Sequence, residues 1–185
     1  MRRVLIACAL ALAACGQGGT ARSSMVPGLY GSYHLAPADL PAFFDCLRER
    51  SATIVSAHRG GPAPGYAENA IRTFEQTLDH APAFLEVDVA RTRDGVLVLM
   101  HDDTVDRTTT GSGRVSDLTA AEFVALRLQD ERGVTLDAHP PTLRDALFWA
   151  EGRTVLELDV KRGVSYEEVG RGVGHLRLRG KHAWT

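Results

Sequence analysis

The chain has 185 residues, 44% of them hydrophobic and 24% charged, with 21 basic and 23 acidic side chains and a formal net charge of −2. These are globular proportions. They exclude long-range disorder and collagen-like or coiled-coil architectures, and the near-balanced charge gives no electrostatic case for nucleic acid as the main partner. The length suits one domain but falls short of a full eight-stranded α/β barrel, which takes about 250 residues.

The first segment reads as a leader. Arg2 and Arg3 precede an apolar stretch, Val4 to Ala14, as long as a signal-peptide core and too short to span a bilayer. Leu12-Ala13-Ala14-Cys15, followed by Gly16, resembles the lipobox of bacterial lipoproteins. That resemblance implies cleavage before Cys15, its lipidation, and a membrane anchor at the cell envelope, on the periplasmic face, or secretion if the anchor is absent. Residues 1–14 are therefore read as signal peptide and 15–36 as a lipidated N-terminus and flexible tether. Cys46 is then the one cysteine left over, and it reads as a buried thiol with no intramolecular disulfide and no zinc ribbon available.

The domain proper is read over 37–169. Ala38 to Arg50 has helical spacing, with Leu40, Phe43, Phe44 and Leu47 sharing a face. Thr53 to His58 reads as a strand broken by Arg59-Gly60-Gly61-Pro62, and Glu68 to His80 as a helix with Ile71, Phe74 and Leu78 on one face. Phe84 to Val89 is a strand, and Val96 to His101 is a nearly all-apolar one. Thr119 to Leu128 reads as a helix with Thr119 and Glu122 as a capping box, and Pro141 to Glu151 as another with proline in its first turn. Thr154 to Val160 is a fourth strand. Strands alternating with helices give an α/β architecture.

Two strands carry charge where a core strand should not. Glu86 and Asp88 point to one face of their strand while Leu85, Val87 and Val89 point to the other. Glu157 and Asp159 repeat the pattern, and Lys161 continues their face. Carboxylates crowded together are costly to ionise unless a cation sits between them, and an all-oxygen donor set favours Ca²⁺ or Mg²⁺ over zinc. His58 and His101 each end an apolar strand, with Arg59 beside the first. C-terminal strand ends are where α/β folds place their chemistry. The set supplies a general acid, a general base, a metal site and a cationic anion clamp, the parts that phosphoryl chemistry needs. If Thr92 to Gly95 is a tight turn, Arg91 pairs with Val96 and Glu86 falls opposite His101. If the strands are parallel, an extended return segment replaces a helix. Either arrangement makes Glu86 and His101 neighbours.

From Ser56 to Lys161 the sequence resembles the glycerophosphodiester phosphodiesterases. The resemblance rests on His58-Arg59-Gly60, Glu68-Asn69, Glu86-x-Asp88, Thr92-x-Asp94-Gly95, His101-Asp102, Asp106-Arg107-Thr108-Thr109 with Gly111 and Gly113, and Asp117-Leu118-Thr119. It implies a metal-dependent TIM-like barrel that cleaves glycerophosphodiesters to sn-glycerol 3-phosphate and an alcohol. By the same resemblance His58 and His101 are the acid/base pair, Glu86 and Asp88 metal ligands, and Arg59 and Lys161 the phosphate contacts. The family's later strand ends Glu-x-Lys, so Asp159-Val160-Lys161 makes Asp159 the third ligand. Glu157 and Glu68 are further candidates at the site. Two other readings share parts of the pattern, a sphingomyelinase D-like barrel phospholipase and a non-catalytic metal-binding lipoprotein remnant. The His101-Asp102 and Asp106 to Thr109 segments favour the phosphodiesterase. His34, His80, His139, His175 and His182 match no motif and read as surface or structural residues, and Gly111-Ser112-Gly113 reads as a turn. Residues 170–185, Gly-rich and basic, read as an atypical tail that breaks the strand-helix pattern, as a frameshift would. Four strand candidates are half of an eight-stranded barrel, so the chain alone is expected to be weakly stable and weakly active.

Overall fold

The structure, a computed structural model, describes residues 33–179, with side chains described to residue 174. The leader and Cys15 fall outside the described residues, as do residues 180–185. The elements in chain order are helix α1 (Leu40–Glu49), strand β1 (Val55–Ala57), helix α2 (Ile71–His80), strands β2 (Ala83–Arg91) and β3 (Leu97–Leu99), helices α3 (Ala120–Val124) and α4 (Leu143–Ala150), strand β4 (Leu156–Val160) and helix α5 (Tyr166–Arg179). Short 3₁₀ turns occupy His58–Gly60 and Val115–Asp117.

Strand β2 is the centre of the sheet. Along one edge it pairs in parallel with β4, Leu85 to Leu156 through Val89 to Val160. The other edge is shared: β1 pairs with it in parallel up to Leu85, and β3 pairs antiparallel from Val89 onward. Among the described residues, three of the four strands are thus parallel, and β3 is the return arm of a hairpin. The alternation in β2 separates two environments. Leu85, Val87 and Val89 are fully buried against Phe74 and Leu78 of α2 and Leu143 and Ala146 of α4. On the opposite face Phe84 packs on Phe43 and Leu47 of α1, with the Phe43 and Phe84 ring centroids 5.8 Å apart. Helix α1 therefore closes the apolar end of that face, and Glu86 and Asp88 follow at its polar end.

Most elements form where the sequence places them but are shorter. Helix α1 buries Phe43 and Leu47, whereas Leu40 and Phe44 stay exposed. Helix α2 begins at Ile71 rather than Glu68, because Asn69 has φ +56°, a left-handed conformation incompatible with a right-handed α-helix. Helix α3 has the expected Thr119–Glu122 capping box but ends at Val124, since Arg127 and Leu128 bond to Thr110 and Ala138 instead. Helix α4 starts after Thr142, which forms a capping box with Asp145, so Pro141 precedes the cap. Helix α5 runs through Gly170 to Arg179, correcting the break expected at residue 170.

Two further corrections concern contacts. Thr92 N–H bonds to the Val96 carbonyl at 3.0 Å, closing a three-residue turn with Gly95 at φ +83°, so Arg91 pairs with Leu97 rather than Val96. This one-residue shift sets Met100, not His101, beside Asp88, and the register that would place Glu86 opposite His101 does not form. Cys46 is half-buried rather than fully buried; the other cysteines, Cys8 and Cys15, lie outside the described residues.

Candidate active site

The site is built at the C-terminal ends of β1, β2 and β4. Parallel register brings Glu86 beside Glu157 and Asp88 beside Asp159. Side-chain oxygens of Glu86, Asp88 and Asp159 all lie within 4.8 Å of one another. Asp88 is buried, at 1% exposure, and would be costly to ionise without compensation. Three partners supply it: Asn69 donates from Nδ2 at 2.7 Å, the Lys161 ammonium sits 2.7 Å from Oδ1, and Arg59 Nε lies 3.8 Å from Oδ2. Lys161 also reaches Asp159 at 2.6 Å. Its ammonium therefore bridges two of the three carboxylates, and they hold its pKa above the ordinary lysine value against the opposing effect of burial. Glu157, on the same face, accepts a hydrogen bond from the Ser56 hydroxyl and stands outside the three-carboxylate cluster.

Arg59 enters by an unusual route. Beyond β1 the chain turns through His58–Gly60, and Arg59 takes φ +52°, a left-handed conformation that costs a non-glycine residue energy. The turn aims its N–H at Glu86 Oε2, 2.7 Å away, and its guanidinium at both oxygens of Glu68, 3.0 and 3.1 Å away. Its Nε is buried with no hydrogen-bond partner, a donor directed toward the carboxylate cluster. His58 is exposed at the mouth of the same turn.

His101 lies beyond the end of β3, in the turn that follows. Its Nδ1 is 2.7 Å from Asp102 Oδ1. Arg107 holds Asp102 through Nε at 2.6 Å and reaches both oxygens of Glu68 at 2.8 Å. Asp102 is held well below the usual carboxylate range, at about 2, by the Arg107 guanidinium first and against the opposing effect of burial, with His101 adding to the shift. Burial alone would raise Glu68, but Arg107 and then Arg59 bring it below its ordinary value. A continuous path of hydrogen bonds thus runs from Arg59 through Glu68, Arg107 and Asp102 to His101. Beside it opens a cavity of about 240 Å³ lined by Arg59, Glu68, Arg107, Thr108, Gln129, Asp130, Glu131 and Gly133.

The structure brings together Arg59, Glu68, Glu86, Asp88, Asp159 and Lys161, and joins His101 to them through the ion-pair path. It adds Asn69, Asp102 and Arg107, to which the sequence assigns no individual role. Among the unassigned histidines, His80 and His139 bond backbone carbonyls through Nδ1, each at 2.7 Å. Gly113 is in a turn, its N–H bonded to Asp106 at 3.0 Å.

The family model described as the glycerophosphoryl diester phosphodiesterase family matches residues 58–172, more than half of the chain. The chain belongs to this family. Glycerophosphodiester phosphodiesterase 1 of Rattus norvegicus is 42% identical over 109 residues, an alignment covering 55% of this chain and 31% of that protein. The crystal structure of a glycerophosphoryl diester phosphodiesterase from Parabacteroides distasonis superposes with a TM-score of 0.64 at 44% identity, covering 67% of this chain and 43% of that one. An Oleispira antarctica phosphodiesterase solved in complex with the product sn-glycerol-3-phosphate matches with a TM-score of 0.56 at 26% identity, over 70% of this chain and 53% of that one. This phosphodiesterase-family chain thus spans about a third of the curated mammalian relatives it matches and about half of the solved structures. Its parallel strands and packed helices form part of the TIM-barrel fold of those structures.

Proposed function

We propose that this chain carries the metal- and phosphate-binding face of a hydrolase that cleaves glycerophosphodiesters to sn-glycerol 3-phosphate and an alcohol. The observation that carries the reading is the convergence of Glu86, Asp88 and Asp159 within 4.8 Å beside the unpartnered Arg59 Nε. Three carboxylates form a hard, all-oxygen donor set that fits Ca²⁺ or Mg²⁺, and Asp88 is already oriented by Asn69 and Lys161. When bound, a divalent ion supplies Lewis-acid stabilisation of charge on a phosphoryl oxygen.

The remaining steps belong to the protein. Arg59 presents its guanidinium to the phosphodiester, and Lys161 turns from the carboxylates to a phosphate oxygen. His58 and His101 divide the proton work: one removes a proton from the nucleophile and the other protonates the departing alcohol. A water nucleophile gives sn-glycerol 3-phosphate directly, whereas the glycerol 2-hydroxyl gives a cyclic phosphate that a water then opens with the two histidines in reversed roles. The cavity beside Arg59 offers room for a small alcohol group. The leader and lipobox-like segment support a signal peptide over 1–14, a tether over 15–36, lipidation at Cys15 and an envelope location, with a membrane as the partner surface.

Hydrolysis of glycerophosphocholine with Ca²⁺ or Mg²⁺, followed by enzymatic detection of sn-glycerol 3-phosphate, tests the reading. Turnover is expected to vanish on chelation and to fall by about 10²–10⁴-fold in His101→Ala. Undiminished turnover in His101→Ala with metal present would overturn the assignment.

A further inference from the structure

We propose that Asp102 and Arg107 are positioning residues that fix the tautomer of His101 and tie it, through Glu68, to the phosphate clamp Arg59. The inference rests on the role of His101 given above and goes beyond it, because it assigns the orientation of the imidazole and couples two parts of the site.

The geometry argues it in three steps. Asp102 Oδ1 lies 2.7 Å from His101 Nδ1. Asp102 is ionised at neutral pH, and an ionised carboxylate only accepts hydrogen bonds. Nδ1 must therefore carry the proton, which leaves Nε2 of the neutral ring with its lone pair free for proton transfer. Next, Asp102 cannot rotate away freely, because Arg107 Nε and Nη2 grip its two oxygens at 2.6 and 3.1 Å. Finally, the same guanidinium is seated on both oxygens of Glu68 at 2.8 Å, and Glu68 holds Arg59 by both oxygens as well. Glu68 is only 8% exposed, so two guanidinium groups share one buried carboxylate. Movement of Arg59 toward a phosphate would be felt at Glu68, passed to Arg107, and reach the imidazole through Asp102. A planar, five-donor guanidinium suits this double bidentate bridge, and a lysine ammonium at position 107 would reach one carboxylate only.

The primary test is the tautomer of His101 in the wild-type chain, read from ring ¹⁵N shifts in long-range ¹H–¹⁵N correlation spectra above the imidazole titration. The Nδ1–H form is expected in the wild type, and reversion toward Nε2–H in Asp102→Ala. A wild-type ring in the Nε2–H form, or an unchanged tautomer in Asp102→Ala, overturns the proposal whether or not the chain turns over substrate. Steady-state kinetics give the second readout. Asp102→Ala should lower kcat by about 10²-fold with KM little changed, consistent with loss of an oriented proton-transfer group. Arg107→Ala should lower kcat and also raise KM, because it frees Glu68 and Arg59 together. Arg107→Lys should recover one of the two effects but not both. The double variant Asp102→Ala/Arg107→Ala should have a kcat no lower than Asp102→Ala alone. Fully additive kcat losses overturn the coupling. Normal turnover in His101→Ala would instead remove the reading on which the inference rests, and the ¹⁵N measurement distinguishes the two failures.

Discussion

Gly60 offers the sharpest test of how the site is supported. It sits at φ +82°, directly after Arg59, and a Cβ built on it would lie 2.2 Å from Cε1 and 2.3 Å from Cδ1 of Phe74. Phe74 is fully buried and its ring centroid lies 5.5 Å from that of Trp149. Gly60→Ala therefore carries two penalties. The left-handed conformation costs a non-glycine residue about 1–2 kcal/mol. Displacing a packed ring costs about 1–3 kcal/mol more. The expected loss is about 2–5 kcal/mol, a large fraction of the roughly 5–15 kcal/mol that holds a domain together. Urea unfolding followed by far-ultraviolet circular dichroism and by tryptophan fluorescence measures it. Phe74→Leu in the same chain removes the clashing ring edge but leaves the conformational penalty, so the pair should show a coupling of about 1 kcal/mol or more. A Gly60→Ala midpoint within experimental error of wild type, or strict additivity with Phe74→Leu, would refute the close-contact argument.

Other outcomes follow from the same structure. Lys161→Met removes the cation between Asp88 and Asp159, leaving Asp88 with Asn69 and the more distant Arg59, and should cost the metal-free chain about 1–3 kcal/mol, with added Ca²⁺ or Mg²⁺ restoring most of it in thermal denaturation. Asp88→Asn should abolish any rise in Tm on adding divalent cation, and a retained rise would place the ion elsewhere. Asp102 titrates at about 2 in the folded chain, below the ordinary aspartate value of 3.8, so its contribution is present above pH 4 and is lost as pH falls through 2. The stability curves of wild type and Asp102→Asn should therefore converge over that window, and parallel curves would contradict the shift. Thr142→Ala breaks the capping box of α4 and should cost about 1 kcal/mol in the same denaturation assay.

The carboxylate cluster is legible in the sequence because strand alternation is strict: residues two apart share a face, so Glu86 aligns with Asp88 and Glu157 with Asp159. The capping box at Thr119 and the helical faces of Phe74 and Leu78 were legible for the same local reasons. The hairpin register was not. Its position depends on whether the turn holds two or three residues, and Gly95 in the left-handed region together with the Thr92 side chain selects three. Asn69 reads as helix from its neighbours, yet its left-handed backbone lets the side chain serve Asp88 instead. Arg107 lies 39 residues from Glu68, and no local pattern announces that pair. Individual ligands are thus written in strand periodicity, whereas the groups that orient them depend on loops meeting in space.

The forked edge of β2 has one more consequence. Between Leu85, where β1 stops pairing, and Val89, where β3 starts, no strand continues the ladder on that side. The Asp88 amide is secured there by the Asn69 side-chain oxygen at 3.0 Å, while the Asp88 carbonyl still receives Met100 N–H and the Val89 carbonyl receives Lys161 N–H, each at 3.0 Å. Solvent exchange of the Asp88 amide is therefore governed by departure of one loop side chain, not by unzipping of the sheet. Deuterium uptake at this single position, compared with Met100 and Lys161, separates opening of the Glu68–Asn69 loop from loss of the strands beneath it.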